Sequence, residues 1–203
     1  MANVRDPEMS RLRIIREAER QFAEKGLYAA SVNVIAENAG INKRMIYHYF
    51  GSKEDLYKEV LRVNFQRIYA IGEKVFENRN DLKSCVKQFI RDYYYFLYNN
   101  PYYVKIMTWE EIAGAEYARE VIPGTLLIGM SKLEKIYEEG VEKGVFRKNI
   151  DLEQLILSIN ALCLITFVRL EMLRALWQEK LEKKLEERLE HINELVLKGI
   201  TTK

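Results

Sequence analysis

Cysteine, histidine and proline are scarce in this sequence, and each scarcity closes off a class of function. Cys85 and Cys163 stand alone, without CxxC spacing, and the opening "MANVRDPEMSRLR" has no secretory apolar core. The expectation is a reducing cytoplasm, with both thiols behaving as small buried apolar groups. His48 and His191 are the only histidines and lack Cys, Asp or Glu at ligand spacing, so no metal site is expected. Three prolines and ten glycines in 203 residues leave little room for low-complexity linkers. Neither charge sign dominates: 32 Lys and Arg face 30 Asp and Glu, a net +2. Any affinity for a polyanion must therefore come from a local patch.

A membrane span is missing too. The longest apolar run, "LILSINALCLITFV" from Leu155 to Val168, is interrupted by Ser158, Asn160 and Thr166. It falls short of the roughly 20 residues a bilayer needs and reads as a buried helix. No alternating strand pattern appears, no Gly-rich phosphate loop follows a strand, and no Glu-x-x-His pair occurs. The adjacent Glu110 and Glu111 point different ways on a helix and are expected at a solvated edge. No catalytic residue and no cofactor are indicated, so the chain is not read as an enzyme.

What the sequence does contain is helical periodicity from end to end. "SRLRIIREAERQFAEKG" carries Leu12, Ile15, Ala18 and Phe22 on one stripe, with Gly26 placed as a left-handed terminator. Ser31 is positioned to cap a short helix whose apolar face is Val32, Ile35, Ala36 and Ala39. That helix stops at Gly40, "INK" makes a corner, and another short helix runs from about Lys43 to Phe50. A longer helix starts after Ser52, with Glu54 and Asp55 in its first turn. "ENRND" breaks the pattern near residue 78. Beyond it lie a helix before Pro101 and one from it, a helix ending near Gly144, an apolar helix capped by Asp151 that reaches about Leu176, and a last one over 179–200. The chain is all-α. The expected domains are 1–51, a helix-turn-helix; 52–77, a connecting helix; and 78–203, an effector-binding and dimerisation domain.

The short pair is the informative part. Two brief helices around a glycine corner make a helix-turn-helix. Ile41 and Ile46 fill the joint core, leaving Asn42, Lys43, Met45, Tyr47 and His48 to face outward. Between Asn38 and Lys53 there is no carboxylate at all, as a surface meeting phosphates requires. A helix in the major groove must read base edges and hold phosphates. Lys43 can donate to guanine O6 and N7, and Met45 can touch a thymine methyl. Arg44 reaches either a base or a phosphate. Tyrosine and histidine donors suit phosphate oxygens, and Lys53 adds a charged one. Tyr49 and Phe50 fit the core or the surface. A solvated Lys-Arg pair on a purely structural helix is the bland alternative.

These residues resemble the TetR family of bacterial transcriptional regulators. The likeness lies in Phe22-Ala23, Lys25-Gly26, Ser31 before "VNVIA", Ala39-Gly40-Ile41, Ile46-Tyr47-x-Tyr49-Phe50 and Ser52-Lys53-Glu54, within roughly residues 10 to 62. The resemblance implies a homodimeric repressor on a roughly palindromic double-stranded DNA operator. By position, Lys43, Arg44 and Met45 would be base-facing, with Asn33 contributing from the preceding helix. Tyr47, His48, Tyr49 and Lys53 would be backbone-facing. Position 44 is often small in that family, so Arg44 departs from the pattern, and either a phosphate or an altered groove fit would accommodate it.

The larger part resembles the family only in architecture, which implies an effector site. "RDYYYFLYNNPYYV" holds six tyrosines between residues 93 and 103. Amphipathic aromatics suit a pocket for a small organic effector or the packing of a bundle. The candidate pocket residues are Tyr93, Tyr94, Tyr98, Tyr102, Trp109, Tyr137, Asn160 and Phe167. A nearly all-round apolar helix, 152–173, exposes more surface than one chain covers easily. With the 181–196 stripe it could build a four-helix bundle with a second copy, through Ile159, Leu170, Leu185, Leu189, Ile192 and Val196, or both stripes could bury within the monomer. The leading expectation is a ligand-responsive repressor without membrane association. The alternative is a helical protein–protein interaction module whose basic patch docks an acidic partner.

Overall fold

The computed structural model describes residues 6–77 and 81–202, and the side chains among these except those of 76–77 and 123–132. Ten α-helices follow one another in this span: α1 Pro7–Ala29, α2 Val32–Ala39, α3 Lys43–Phe50, α4 Lys53–Glu77, α5 Leu82–Asn99, α6 Pro101–Ile112, α7 Ala118–Glu142, α8 Leu152–Val168, α9 Leu170–Trp177 and α10 Leu181–Ile200. Among the described residues the only extended pairing is an isolated bridge between Phe146 and Thr201. No single described helix is long and apolar enough to cross a membrane.

Side-chain caps set several helix starts. Asp6, Asp81 and Asp151 each accept backbone N–H groups at the beginning of α1, α5 and α8, satisfying donors that the helix itself leaves free. Gly26 has φ 70°, as its place in the sequence suggested, but ψ is 170° and the chain resumes helical turns to Ala29. It kinks α1 rather than ending it. The apolar helix expected to reach Leu176 breaks at Arg169, whose backbone leaves the helical region at φ −99°, ψ 12°. Neither proline nor glycine marks that break.

Contacts divide the chain into two compact units, Met1–Gln66 with Tyr102–Pro123, and Arg67–Pro101 with Gly124–Lys203. Helices α4 and α7 each begin in the first and end in the second. The expected domain boundary near residue 78 falls at 78–80, outside the described residues. The first unit's core is built on Ile14, Ala18, Phe22, Ile35, Ile46, Leu56, Tyr57 and Leu61, with Ile106 and Val121 joining from α6 and α7. In the second unit α5, α8 and α10 pack mutually.

Candidate nucleic-acid interface

The corner between α2 and α3 follows from its residue types. Val32, Ile35, Ala36 and Ala39 are all buried, so α2 presents a single apolar stripe to α1. Gly40 takes the left-handed conformation at φ 66°, ψ 38°, which costs a residue without Cβ least. Its N–H donates to the Glu37 carbonyl at 3.1 Å, and that of Ile41 donates to Ala36 at 3.0 Å, a Schellman closure. Asn42 then starts α3, its Oδ1 accepting the Arg44 N–H at 2.9 Å. Ser31 precedes α2 in extended backbone but makes no side-chain cap bond.

Helix α3 is anchored by one fully buried side chain, Ile46. Asn33 of α2 and Asn42, Lys43, Arg44, Met45, Tyr47 and His48 around α3 are all exposed. The Lys43 ammonium lies 5.9 Å from the centre of the Tyr47 ring, one helical turn on, where a cation–π contact holds both side chains on one face. Among the described residues no carboxylate is paired with Lys43 or Arg44. A cleft of about 460 Å³ lies alongside, lined by Asn33, Lys43, Tyr47, Ser52, Lys53 and Glu54 among others. The fold thus brings one acid, Glu54, to the rim of a surface that is acid-free in the linear sequence.

Two expected backbone contacts are differently occupied. The Lys53 ammonium is half-buried and donates to the carbonyls of Tyr28 at 3.1 Å and Ala30 at 3.3 Å. It clamps the end of α1 to the start of α4, so in this conformation its donors serve the protein. Tyr49 is half-buried against the first unit's core, flanked by the rings of His48 and Phe50. Gly51, at φ 88°, lets the chain turn into α4, which Ser52 and Asp55 cap reciprocally: the Asp55 N–H donates to Ser52 Oγ at 2.9 Å, and the hydroxyl to Asp55 Oδ2 at 2.6 Å.

The eight aromatic and polar residues expected to form a pocket are divided between the two units. Trp109 and Tyr102 belong to the first unit, where the Trp109 ring lies against Gly26 and its Nε1 donates to the Ala23 carbonyl at 3.2 Å. In the second unit Tyr93 and Tyr94 are buried, accepting from Asn160 Nδ2 at 2.7 Å and donating to the Leu185 carbonyl at 3.0 Å respectively. The buried Phe167 stacks edge-on to Tyr94 at 4.7 Å. The Tyr98 hydroxyl donates to Glu182 at 3.0 Å. Tyr137 donates to the Arg147 carbonyl and accepts from the Ile150 N–H, pinning the turn after α7. These groups hold the bundle together, because a buried phenol or amide must find a partner and the neighbouring helix supplies it.

The seam residues need a correction of the same kind. Ile159, Leu185, Leu189, Ile192 and Val196 are buried within the chain's own second unit, and Leu170 is half-buried. The single apolar stripe of α10 is consumed by α5 and α8. The exposed apolar groups of the helices after Asp151 are Leu157 (61% exposed), Ile165 and Val168 on α8, Met172 and Leu176 (71%) on α9, and Leu195 on α10. Glu110, expected at a solvated edge, is 2% exposed, while Glu111 is exposed as expected. Cys85 and Cys163 are free and buried, and burial pushes the Cys163 thiol up to about 12.

A helix-turn-helix with an exposed cationic and hydroxyl-bearing second helix, attached to a larger helical bundle, is the build of a DNA-binding transcriptional regulator. Residues 14–60 match the family described as "Bacterial regulatory proteins, tetR family", and residues 83–196 match "Tetracyclin repressor-like, C-terminal domain". The chain belongs to the TetR family of bacterial regulators, and it is a DNA-binding transcriptional regulator. It is similar to the transcriptional repressor NicS of Pseudomonas putida, 31% identical over 74% of this chain and 72% of that protein. It is 27% identical to the repressor KstR2 of Rhodococcus jostii over 65% of each chain. The fold is shared with FadR from Bacillus subtilis in complex with stearoyl-CoA, TM-score 0.74, 21% identical, covering 93% of this chain and 98% of that one.

Proposed function

We propose that this chain is a ligand-responsive repressor that binds a roughly palindromic operator as a homodimer, in the cytoplasm. The observation that carries the reading is the exposed face of α3. There Lys43, Arg44, Met45, Tyr47 and His48 surround one buried anchor, Ile46, with no carboxylate among the described residues paired to the cations. Lys43 and Arg44 meet base edges, Met45 a thymine methyl, and Tyr47 and His48 the phosphates. Asn33 reaches the same groove from α2. Asn42 acts first as the cap of α3. In this reading residues 1–51 form the reading head, 52–77 the connecting helix and 78–203 the effector and dimerisation part; the family matches at 14–60 and 83–196 support an N-terminal and a C-terminal part.

The dimer seam in this reading is the outer face of α8 and α9, with Leu157, Ile165, Val168, Met172 and Leu176, rather than the leucines inside α10. Exposed apolar side chains on two successive helices support an association site, and a two-fold copy matches a palindromic operator. The effector is a small organic molecule. A fold neighbour that holds an acyl-CoA supports such a site in this architecture.

Selection of bound sequences from a random DNA pool tests the reading directly. A two-fold symmetric consensus is expected, with affinity falling steeply as salt rises. Binding without sequence preference, or binding that survives Lys43→Glu combined with Tyr47→Ala, overturns it in favour of a protein-docking module.

A further inference from the structure

The first unit contains a buried carboxylate that the DNA-reading face does not use. Glu110 Oε2 accepts the N–H of Tyr117 at 3.1 Å and that of Ala118, the first residue of α7, at 2.7 Å. Among the described residues it has no ion pair, so it is held by those amides and by the positive end of α7. Tyr57 of α4, 1% exposed, packs its ring against Tyr117, one of the two residues whose N–H groups Glu110 accepts. Burial first and Glu110 second raise the pKa of that phenol well above its ordinary value, so it stays a neutral donor.

The contact is reinforced on both sides. The Tyr57 ring meets Tyr117 edge-on at 5.6 Å and Phe22 of α1 at 4.9 Å. Lys58, the next residue of α4, lies 5.6 Å from the Tyr117 ring centre and pairs with Glu120 of α7 at 2.6 Å. Two adjacent residues of α4 therefore grip the start of α7 through an aromatic ring and an ion pair. Pulling α7 away would leave Glu110 buried and unsatisfied, which costs far more than breaking a surface contact. The same α4 is tied at its N-terminus to the end of α1 through Lys53, and its Leu56 shares one core with Ile46 of α3.

We propose that Glu110 is a positioning residue for operator binding: it locks the first turn of α7 to Tyr57 of α4, so that the placement of α3 on DNA and the state of α7 depend on each other. This rests on the reading of α3 as the DNA-binding helix. Because α7 continues beyond residue 123 into the second unit, the lock is also a route by which changes in that unit act on DNA affinity. By linkage, operator binding must then tighten the lock.

The test uses the full chain, the operator duplex obtained by selection, and the variants Glu110→Ala, Glu110→Gln and Tyr57→Phe. Operator affinity is measured per active molecule, and hydrogen exchange is followed at the Tyr117 and Ala118 amides with and without operator. Glu110→Ala is expected to weaken operator binding roughly tenfold, within the usual range of coupling between sites. Glu110→Gln, whose amide oxygen can accept the same two N–H groups and whose NH2 can face the Tyr57 oxygen, is expected to restore most of it. Operator should slow exchange at both amides about fivefold in the wild type, and this response should vanish in Tyr57→Phe, which keeps the ring packing. Wild-type affinity in Glu110→Ala, or exchange at the two amides indifferent to operator, overturns the proposal. Should Glu110→Ala fail to fold, the exchange response of Tyr57→Phe decides alone. A wild-type protein that selects no DNA sequence overturns the reading beneath it, a result seen before any variant is made.

Discussion

Helices α3 and α10 are both amphipathic, and they differ in what their polar faces do. On α10, seven residues are buried, and the outer face is laced by pairs such as Lys184 with Glu187 and Lys198 with Glu194. Each of these charges has its counter-charge one turn away, the pattern of a solvated helix worth only a few tenths of a kcal/mol per pair. On α3 a single residue is buried, the cations have no acidic partner among the described residues, and Lys43 rests over the Tyr47 ring instead. Hydrophobic stripes alone do not separate a core helix from a reading helix. The composition of the exposed face does.

The largest expected effect comes from erasing that difference. Lys43→Glu removes a donor and introduces an anion at the groove, and operator affinity should fall roughly a hundredfold at moderate salt. Lys183→Glu on the outer face of α10, an equal change in net charge, should leave affinity unchanged. Titration of a fluorescent operator duplex checks both, and equal effects would mean net charge rather than the α3 face drives binding. Leu189→Ala inverts the comparison. Its fully buried side chain should cost about 2–5 kcal/mol of stability, read by denaturant unfolding, while the protein that remains folded binds operator normally.

A third change addresses the association face. Ile165→Glu places a charge on the exposed apolar side of α8 and should convert a dimer to a monomer in sedimentation, with unfolding little altered because the side chain is already exposed. Ile192 on α10 cannot serve this purpose, since it is fully buried and a charge there would unfold the bundle first.

How far the sequence alone leads is clear from these same residues. The α2–α3 corner was legible because glycine and a short apolar stripe each carry a local signal, and the structure realises them at Gly40 and Ile46, whereas the cap that Asn42 provides was not read. The all-round apolar character of 152–173 was legible as surplus surface. Which face of which helix met the surplus was not, because α10 carries one clean stripe whether its partner is α5 or a second copy. The partners of Glu110, expected at a solvated edge, and of Lys53, expected to meet phosphate, went unread for a related reason. A lone carboxylate or lysine gives no local sign of its partners, which are the backbone of Tyr117 and Ala118 or of Tyr28 and Ala30, distant in sequence. Nothing local marks the break at Arg169.

The smallest expected effect falls on Asn42, where cap and contact can be separated. Its Oδ1 holds the Arg44 N–H while the residue lies exposed beside the reading face. Asn42→Ala loses the cap and should cost about 1 kcal/mol of stability, whereas Ser31→Ala, where no cap bond is made, should cost less. Asn42→Asp keeps an acceptor of equal capping quality but adds a negative charge next to Lys43. If the face meets DNA, Asn42→Asp retains wild-type stability and loses affinity severalfold, with the loss growing as salt is lowered and phosphate repulsion is less screened. If α3 is only a solvated helix, the aspartate variant is indistinguishable from wild type in both measurements, because a cap is all that position then provides.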